Sequence, residues 1–300
     1  MPDVSTPETH PRPTVRRSAS SCDPLTNWAA YIADLIRPEG REPSIAVVVA
    51  HPDDEVIGMG AQLPRFRELF IIHVTDGAPR NMKDARTHGF NERRDYALAR
   101  HEELERAMML ASFPKERLFS LGYIDQEASL HLVELSGVLA KMFHNLQLDL
   151  ILTHPYEGGH PDHDATAFAA HTACQMLVEA GFVPPILLEM TFYHNFSGTR
   201  TTSEFIAHPG YPISTSNLSA QQQLLKRKLF ECYGTQKNVL RTFSSSIERF
   251  RPAPKYDFLK SPHEGTLFYE NYDWGMASER WRELASQAQQ LLEIGNGGKV

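Results

Sequence analysis

Four stretches of the chain are apolar almost without interruption: IAVVVA at 45–50, FIIHVTD at 70–76, RLFSLGY at 117–123 and LDLILTH at 148–154. Each is short and rich in branched or aromatic residues, which reads as strand rather than helix. A strand with one solvated face alternates apolar and polar side chains, so continuous runs imply that both faces are covered. Between these runs the apolar positions recur every three to four residues. NERRDYALARHEELERAMMLA (91–111), LHLVELSGVLAKMFHNL (130–146) and HDATAFAAHTACQMLVEAG (163–181) read as helices, the last stopped by Gly181. This alternation predicts an α/β fold with a Rossmann-like, mostly parallel sheet and helices on both faces.

After Pro184-Pro185 the rhythm changes. PILLEMTFYHNF (185–196) reads as one more strand and LSAQQQLLKRKLFECYG (218–234) as a helix closed by Gly234. An aromatic, proline-rich stretch, FRPAPKYDFLKSPHEGTLFYENYDWGM (250–276), leads into a final helix from Ser278. At the other end, residues 1–22 are rich in Pro, Ser and Thr and predict a flexible arm. LTNWAAYIADLI (25–36) has helical spacing. No linker separates the carboxyl-terminal part. The organisation expected is an arm (1–22) and one domain (23–300), with core motifs at 44–180 and a β/aromatic extension over 185–300.

Composition narrows the function classes. Hydrophobic residues make up 41% of the 300 and charged residues 22%, ordinary for a globular enzyme. A formal net charge of −7 argues against a nucleic-acid groove, which needs a basic face. Cys22, Cys174 and Cys232 are far apart and form no C-x-x-C pair, so neither a disulfide framework nor a thiolate metal site is expected. A reducing, cytoplasmic setting is the simpler expectation. No apolar run is long enough to span a membrane.

In open parallel sheets, ligands bind beyond the carboxyl ends of the strands. His51, Asp53 and Asp54 follow one strand, Asp76 the next, Asp125 another, and His154, His160 and His163 the last. Acids and imidazoles therefore gather on one rim. His51 and Asp54 are three apart, as are His160 and His163 in GGHPDH, and both pairs have metal-ligand spacing. A catalytic zinc ion takes three ligands from His and carboxylate and keeps one position for water. Two His and one Asp from two strand ends would meet that need. A lone His-Pro-Asp is more often a turn, and consecutive acids often cap a helix. Neither reading calls for a second histidine cluster across the sheet.

AHPDDE after the first strand and HPDH after a later one resemble the PIG-L/LmbE-like family of zinc-dependent N-deacetylases. That family includes enzymes acting on N-acetylglucosaminyl-phosphatidylinositol and on intermediates of mycothiol and bacillithiol synthesis. The resemblance spans roughly 44–180, and extends weakly to Gln236. It implies His51, Asp54 and His163 as metal ligands, Asp53 as general base and His160 as the residue that steadies the oxyanion. It further implies Arg100, of an Arg-x-x-Glu pair with Glu103, as a substrate-binding residue, and Asp125 as an acid that contacts sugar hydroxyls. Zinc is the implied ion, with Fe2+ as the alternative in a reducing cytosol. Some family members carry a mobile tyrosine two residues before HPDH. That position is Gly158 here, with Tyr156 nearby but out of register.

The leading expectation is a zinc hydrolase removing an acetyl group from an N-acetylglucosamine-type sugar, a small-molecule substrate, with homo-oligomerisation left open. A hydrolase for another acyl amide or ester, as in natural-product tailoring, is the alternative. A nucleotide-binding module is disfavoured because no G-x-G-x-x-G follows the first strand. The remaining histidines are expected to be structural or surface residues, with His194 and His263, set among aromatics, the first candidates among them to line a pocket; Tyr193, Tyr269 and Trp274 are expected in the core rather than as sugar platforms, although a sugar face could stack there.

Overall fold

The run at 45–50 forms β1 (Ile45–Val49) at the centre of a seven-stranded sheet in the computed structural model, which describes residues 43–196 and 198–293. The expected arm (1–22) and the helix at 25–36 lie outside the described residues. Every side chain of β1 is buried. Ala46 and Val48 face one apolar layer, which holds Leu135, Leu139, Phe143, Phe168 and Trp281. Ile45, Val47 and Val49 face the other, with Val56, Leu104, Met108, Leu229 and Phe250. Alternate residues thus serve opposite layers, which is why the run shows no polar alternation.

The other strands follow in the order β3–β2–β1–β4–β5–β9–β8. Here β2 is Leu69–Thr75, β3 Leu118–Tyr123, β4 Leu150–Thr153, β5 Ile186–Met190, β8 Ser214–Asn217 and β9 Ile247–Pro252. The first five pair in parallel, with Ile45 opposite both Leu69 and Leu150. β9 runs antiparallel to β5, and β8 antiparallel to β9. The helices are α1 (Asp54–Met59), α2 (Lys83–Thr87), α3 (Arg93–Leu110), α4 (Leu132–Asn145), α5 (Pro161–Glu179), α6 (Ala220–Glu231), α7 (Lys237–Leu240) and α8 (Ser278–Leu291). α4 packs on α5 and α8, whereas α6 packs on α1 and α3 across the sheet.

The expected single strand at 185–196 is two. β5 stops at Met190, and Tyr193–Phe196 (β6) pairs instead with Thr199–Thr202 (β7) as a separate hairpin. Between them Phe192 is buried against the rings of His154 and His163, at 4.1 and 5.2 Å. The chain turns to bury that ring, and no glycine or proline marks the turn.

Two buried ion-pair networks tie the extension to the core. Arg251 on β9 donates to Glu189 at 2.7 Å and to Glu157 at 3.1 Å, and His194 Nδ1 lies 3.1 Å from Glu157. Burial pushes the Glu189 carboxyl up to about 8 even against the pull of Arg251. Lys226 on α6 donates to the Ile57 carbonyl at 2.8 Å and to Glu248 at 2.9 Å, and Glu248 accepts from the Ala61 N–H at 2.9 Å. The bonds to Ile57 and Ala61 land on α1 or just beyond it.

Candidate active site

β1 sits where the strand order reverses: the chain leaves it toward β2, but leaves β4, its other neighbour, toward β5. A crevice opens at such a point. His51 emerges from β1, and its backbone N–H donates to Asp54 Oδ2 at 2.8 Å. That oxygen also lies 3.2 Å from His51 Nδ1, 3.4 Å from His163 Nε2 and 3.4 Å from His154 Nε2. The resemblance-implied ligands are therefore together: donor atoms of His51, Asp54 and His163 lie within 4.8 Å of one another, all buried. His163 Nε2 has no hydrogen-bond partner among the described residues. A buried, unpaired imidazole nitrogen facing a carboxylate is costly unless something binds there. Two imidazoles and a carboxylate suit a divalent metal ion.

His154 is the member that sequence reasoning placed on the rim but gave no role. Its ring stacks on His163 at 3.9 Å. Its Nε2 accepts from the Ala50 N–H at 2.9 Å, so that lone pair is engaged and the ring buttresses His163 rather than binding metal. Burial, helped by His163, pulls it down to about 3 and keeps it neutral. Burial works against ionised Asp54, but His163 and His154 outweigh it and hold the carboxyl well below its usual range.

Asp53 precedes α1 with φ 120°, a conformation that costs a non-glycine residue about 1–3 kcal/mol. It is held from several sides. Its N–H donates to Glu55 at 3.0 Å, and Glu55 in turn accepts from Tyr233 and sits 2.8 Å from His73 Nε2. Arg100, buried on α3, donates to the Pro52 carbonyl at 2.6 Å and reaches Asp53 Oδ2 at 3.5 Å. Although it sits on a helix among acids, this arginine is not a solvated ion-pair partner. Its partner Glu103 accepts from Thr235 at 2.8 and 2.6 Å, bracing the turn that presents Gln236. Burial pushes the Asp53 carboxyl up to about 8, with Arg100 opposing and Asp54 and Glu55 reinforcing.

His160 and Asp125 stand opposite. Their closest atoms, Nε2 and Oδ1, are 3.7 Å apart, and the His160 ring is 4.4 Å from that of His51. His160 Nδ1 accepts from the Asp162 N–H at 3.1 Å, which leaves the proton on Nε2, facing the cleft. The acids beside this ring are engaged by backbone groups. The Asp162 carboxylate accepts from the Gln126 and Ala128 N–H groups, at 2.6 and 3.0 Å, and Asp164 accepts from Gly158 at 3.1 Å. Burial and the neighbouring His51 bring His160 well below its ordinary value, so it is a neutral donor. His51 itself is raised: burial opposes its charge, but Asp125, Asp162 and Asp54 prevail.

The two glycines before His160 are sterically required. A Cβ on Gly159 would fall 2.0 Å from the Tyr193 carbonyl, and Gly158 has φ +68° against Leu267. Tyr156 turns away into the core and donates to the Lys260 carbonyl at 2.9 Å. The cleft over these groups has a volume of about 340 Å³. The extension contributes Tyr193, Arg200, Gln236, Phe268, Tyr272 and Trp274 to its walls. His194 and His263 do not line it, while Tyr193 and Trp274, expected in the core, do; Tyr269 is buried.

Metal binding should displace protons. In the metal-free protein at pH 7, His51 and most of Asp53 hold one each, and a divalent ion disfavours both. Affinity should therefore rise as pH is raised through about 8, the value for Asp53. Titration calorimetry in buffers of different ionisation enthalpy should show about one proton fewer released by Asp53→Asn than by the wild type.

Residues 46–174 match the family model described as PIG-L: GlcNAc-PI de-N-acetylase. That stretch resembles the PIG-L family. Every ligand candidate, with Asp53, Arg100, Asp125 and His160, falls inside the PIG-L span, whereas the extension that walls the cleft falls outside it. No curated protein sequence matches the chain. Among solved structures, it is similar to the A40926 pseudoaglycone deacetylase Dbv21, at 18% identity over 71% of this chain and 97% of that chain, TM-score 0.53. It is also similar to the zinc-inhibited form of the teicoplanin deacetylase Orf2, at 18% identity over 71% of this chain and 98% of that chain, TM-score 0.53. At this identity the likeness concerns the fold, a mostly parallel sheet between helices. No helix among the described residues is long and apolar enough to cross a membrane.

Proposed function

We propose that the protein is a metal-dependent N-deacetylase acting on an N-acetylglucosamine-type sugar, with zinc held by His51, Asp54 and His163. The observation that carries this reading is the convergence of those three buried donors beside Asp53, with the Nε2–H of His160 opposite. The PIG-L match and the deacetylases of similar fold support it. Bound zinc would polarise the acetyl carbonyl and acidify a water.

The chain's own residues do the rest. Asp53 accepts the proton of the attacking water and returns it to the departing nitrogen. An amine leaves poorly unless protonated, so the carboxyl must work in both directions. Arg100 and the Pro52 carbonyl hold it in place while it does so. His160 donates from Nε2 to the oxygen that gains charge; loss of one such donor typically costs about 3–4 kcal/mol of barrier. Asp125, beside His160, accepts from a sugar hydroxyl.

Incubation of zinc-loaded protein with methyl N-acetylglucosaminide and a panel of simple acyl amides and esters tests the reading. Acetate and free amine should form from the sugar, and chelation should stop it. Turnover confined to non-sugar amides or esters would replace it with the tailoring hydrolase.

A further inference from the structure

The wall of the cleft is a closed circuit of rings. His163 meets Tyr193 at 5.4 Å, Tyr193 meets Phe268 at 5.0 Å, and Phe268 meets Tyr272 at 5.1 Å. Tyr272 stacks on Trp274 at 4.7 Å and 12°, Trp274 meets His160 at 4.6 Å, and His160 meets His163 at 5.4 Å. Both ends of the aromatic arc are thus planted on the two histidines of HPDH. The four aromatic members come from outside the PIG-L span.

An acetamide needs only a methyl-sized apolar contact. Four large rings exceed that need, and Tyr272 is left 47% exposed at the cleft. An open aromatic surface beside a catalytic centre favours a flat partner, because ring pairs gain attraction beyond the area they bury. Polar groups frame it. The Arg200 guanidinium lies over Tyr193 and Phe268 at 5.4 and 5.2 Å, and its hydrogen bond is to a hydroxyl, Thr242 Oγ1 at 3.4 Å. Lys83, at the start of α2, pairs at 3.0 Å with Asp273, which lies between Tyr272 and Trp274 in the chain. Donors and acceptors at the edges of an apolar face match a pyranose, which is apolar on its faces and polar around its rim.

We propose that this collar is a subsite for a second ring, carried by the substrate beyond its N-acetylated sugar and lying against Phe268 and Tyr272. The inference rests on the deacetylase reading and narrows its substrate to ring-bearing glycosides. A further pyranose and an aryl aglycone share the flat face that the collar recognises.

The test compares kcat/KM for acetate release from methyl N-acetylglucosaminide, phenyl N-acetylglucosaminide and N,N'-diacetylchitobiose with the zinc-loaded full chain. The second ring should raise kcat/KM about tenfold over the methyl glycoside. Tyr272→Ala, at an exposed position that should not disturb folding, and Phe268→Ala should bring the ratio toward one. A gain for chitobiose identifies a sugar as the second ring; a gain for the phenyl glycoside alone identifies an aryl group. Equal kcat/KM for all three, or a preference unchanged in both variants, overturns the proposal and leaves the deacetylase reading standing. If no sugar releases acetate, that reading fails, and binding decides the collar alone. The change in tryptophan emission that Trp274→Phe abolishes should then report Kd about tenfold tighter for chitobiose than for the methyl glycoside. Equal Kd would overturn it.

Discussion

Asp53→Asn is expected to keep its metal and lose about 10²- to 10⁴-fold in kcat, the usual worth of a positioned acid–base group. Asparagine has the same shape and tolerates positive φ better than most residues, so the φ of 120° should survive. Arg100 keeps its stronger bond, to the Pro52 carbonyl at 2.6 Å, so the turn should stay in place. What disappears is a basic oxygen able to take a proton and give it back. Metal content by elemental analysis, measured with kcat on the same preparation, checks both halves. A variant that emerges metal-free would make Asp53 a ligand and the assignment of base wrong.

Asp54→Ala should have the opposite signature, with metal lost before chemistry can be asked about. Its Oδ2 is the shared neighbour of His51, His163 and His154. Removing it takes away the carboxylate that faces both His51 and His163 and frees the His51 N–H that fixes the turn. Loss of a group that merely supports a ligand costs about 10- to 100-fold in affinity, so loss of the ligand should exceed 100-fold in a chelator competition. Metal that binds only the folded state stabilises it by about 2.7 kcal/mol at 100 times Kd, and thermal unfolding should show that increment in wild type and not in Asp54→Ala. Undiminished metal content in the variant would remove Asp54 from the ligand set.

The parallel core was legible in sequence because burial on both faces leaves an unbroken apolar run: β1 and β4 lie wholly within such runs and β2 starts one residue before its own, whereas β3, at the sheet edge, is only half-buried. The break at Thr191-Phe192 was not. It depends on a ring finding His154 and His163, which are distant in the chain, and nothing local records that. The ligand motifs were legible because their spacing is local to two turns. Arg100 and His154 were less so: a helix arginine beside acids looks solvated, and a histidine ending a strand looks like its neighbours. Only the packing of α3 against Pro52, and of β4 against Ala50, separates them. The aromatic wall was left between core and platform for a related reason. A residue that lines a cleft and one that fills a core have the same pattern, and the difference is whether anything packs on the outer face.

The Lys226–Glu248 pair holds Ile57 and Ala61, at the far end of the short helix that begins with Asp54. A fragment trimmed to the 46–174 stretch would therefore retain every side chain proposed for the chemistry and still lack the anchor that aims two of them. Catalytic competence in this protein belongs to the joined halves of its sheet, and cannot be excised with the motifs that advertise it.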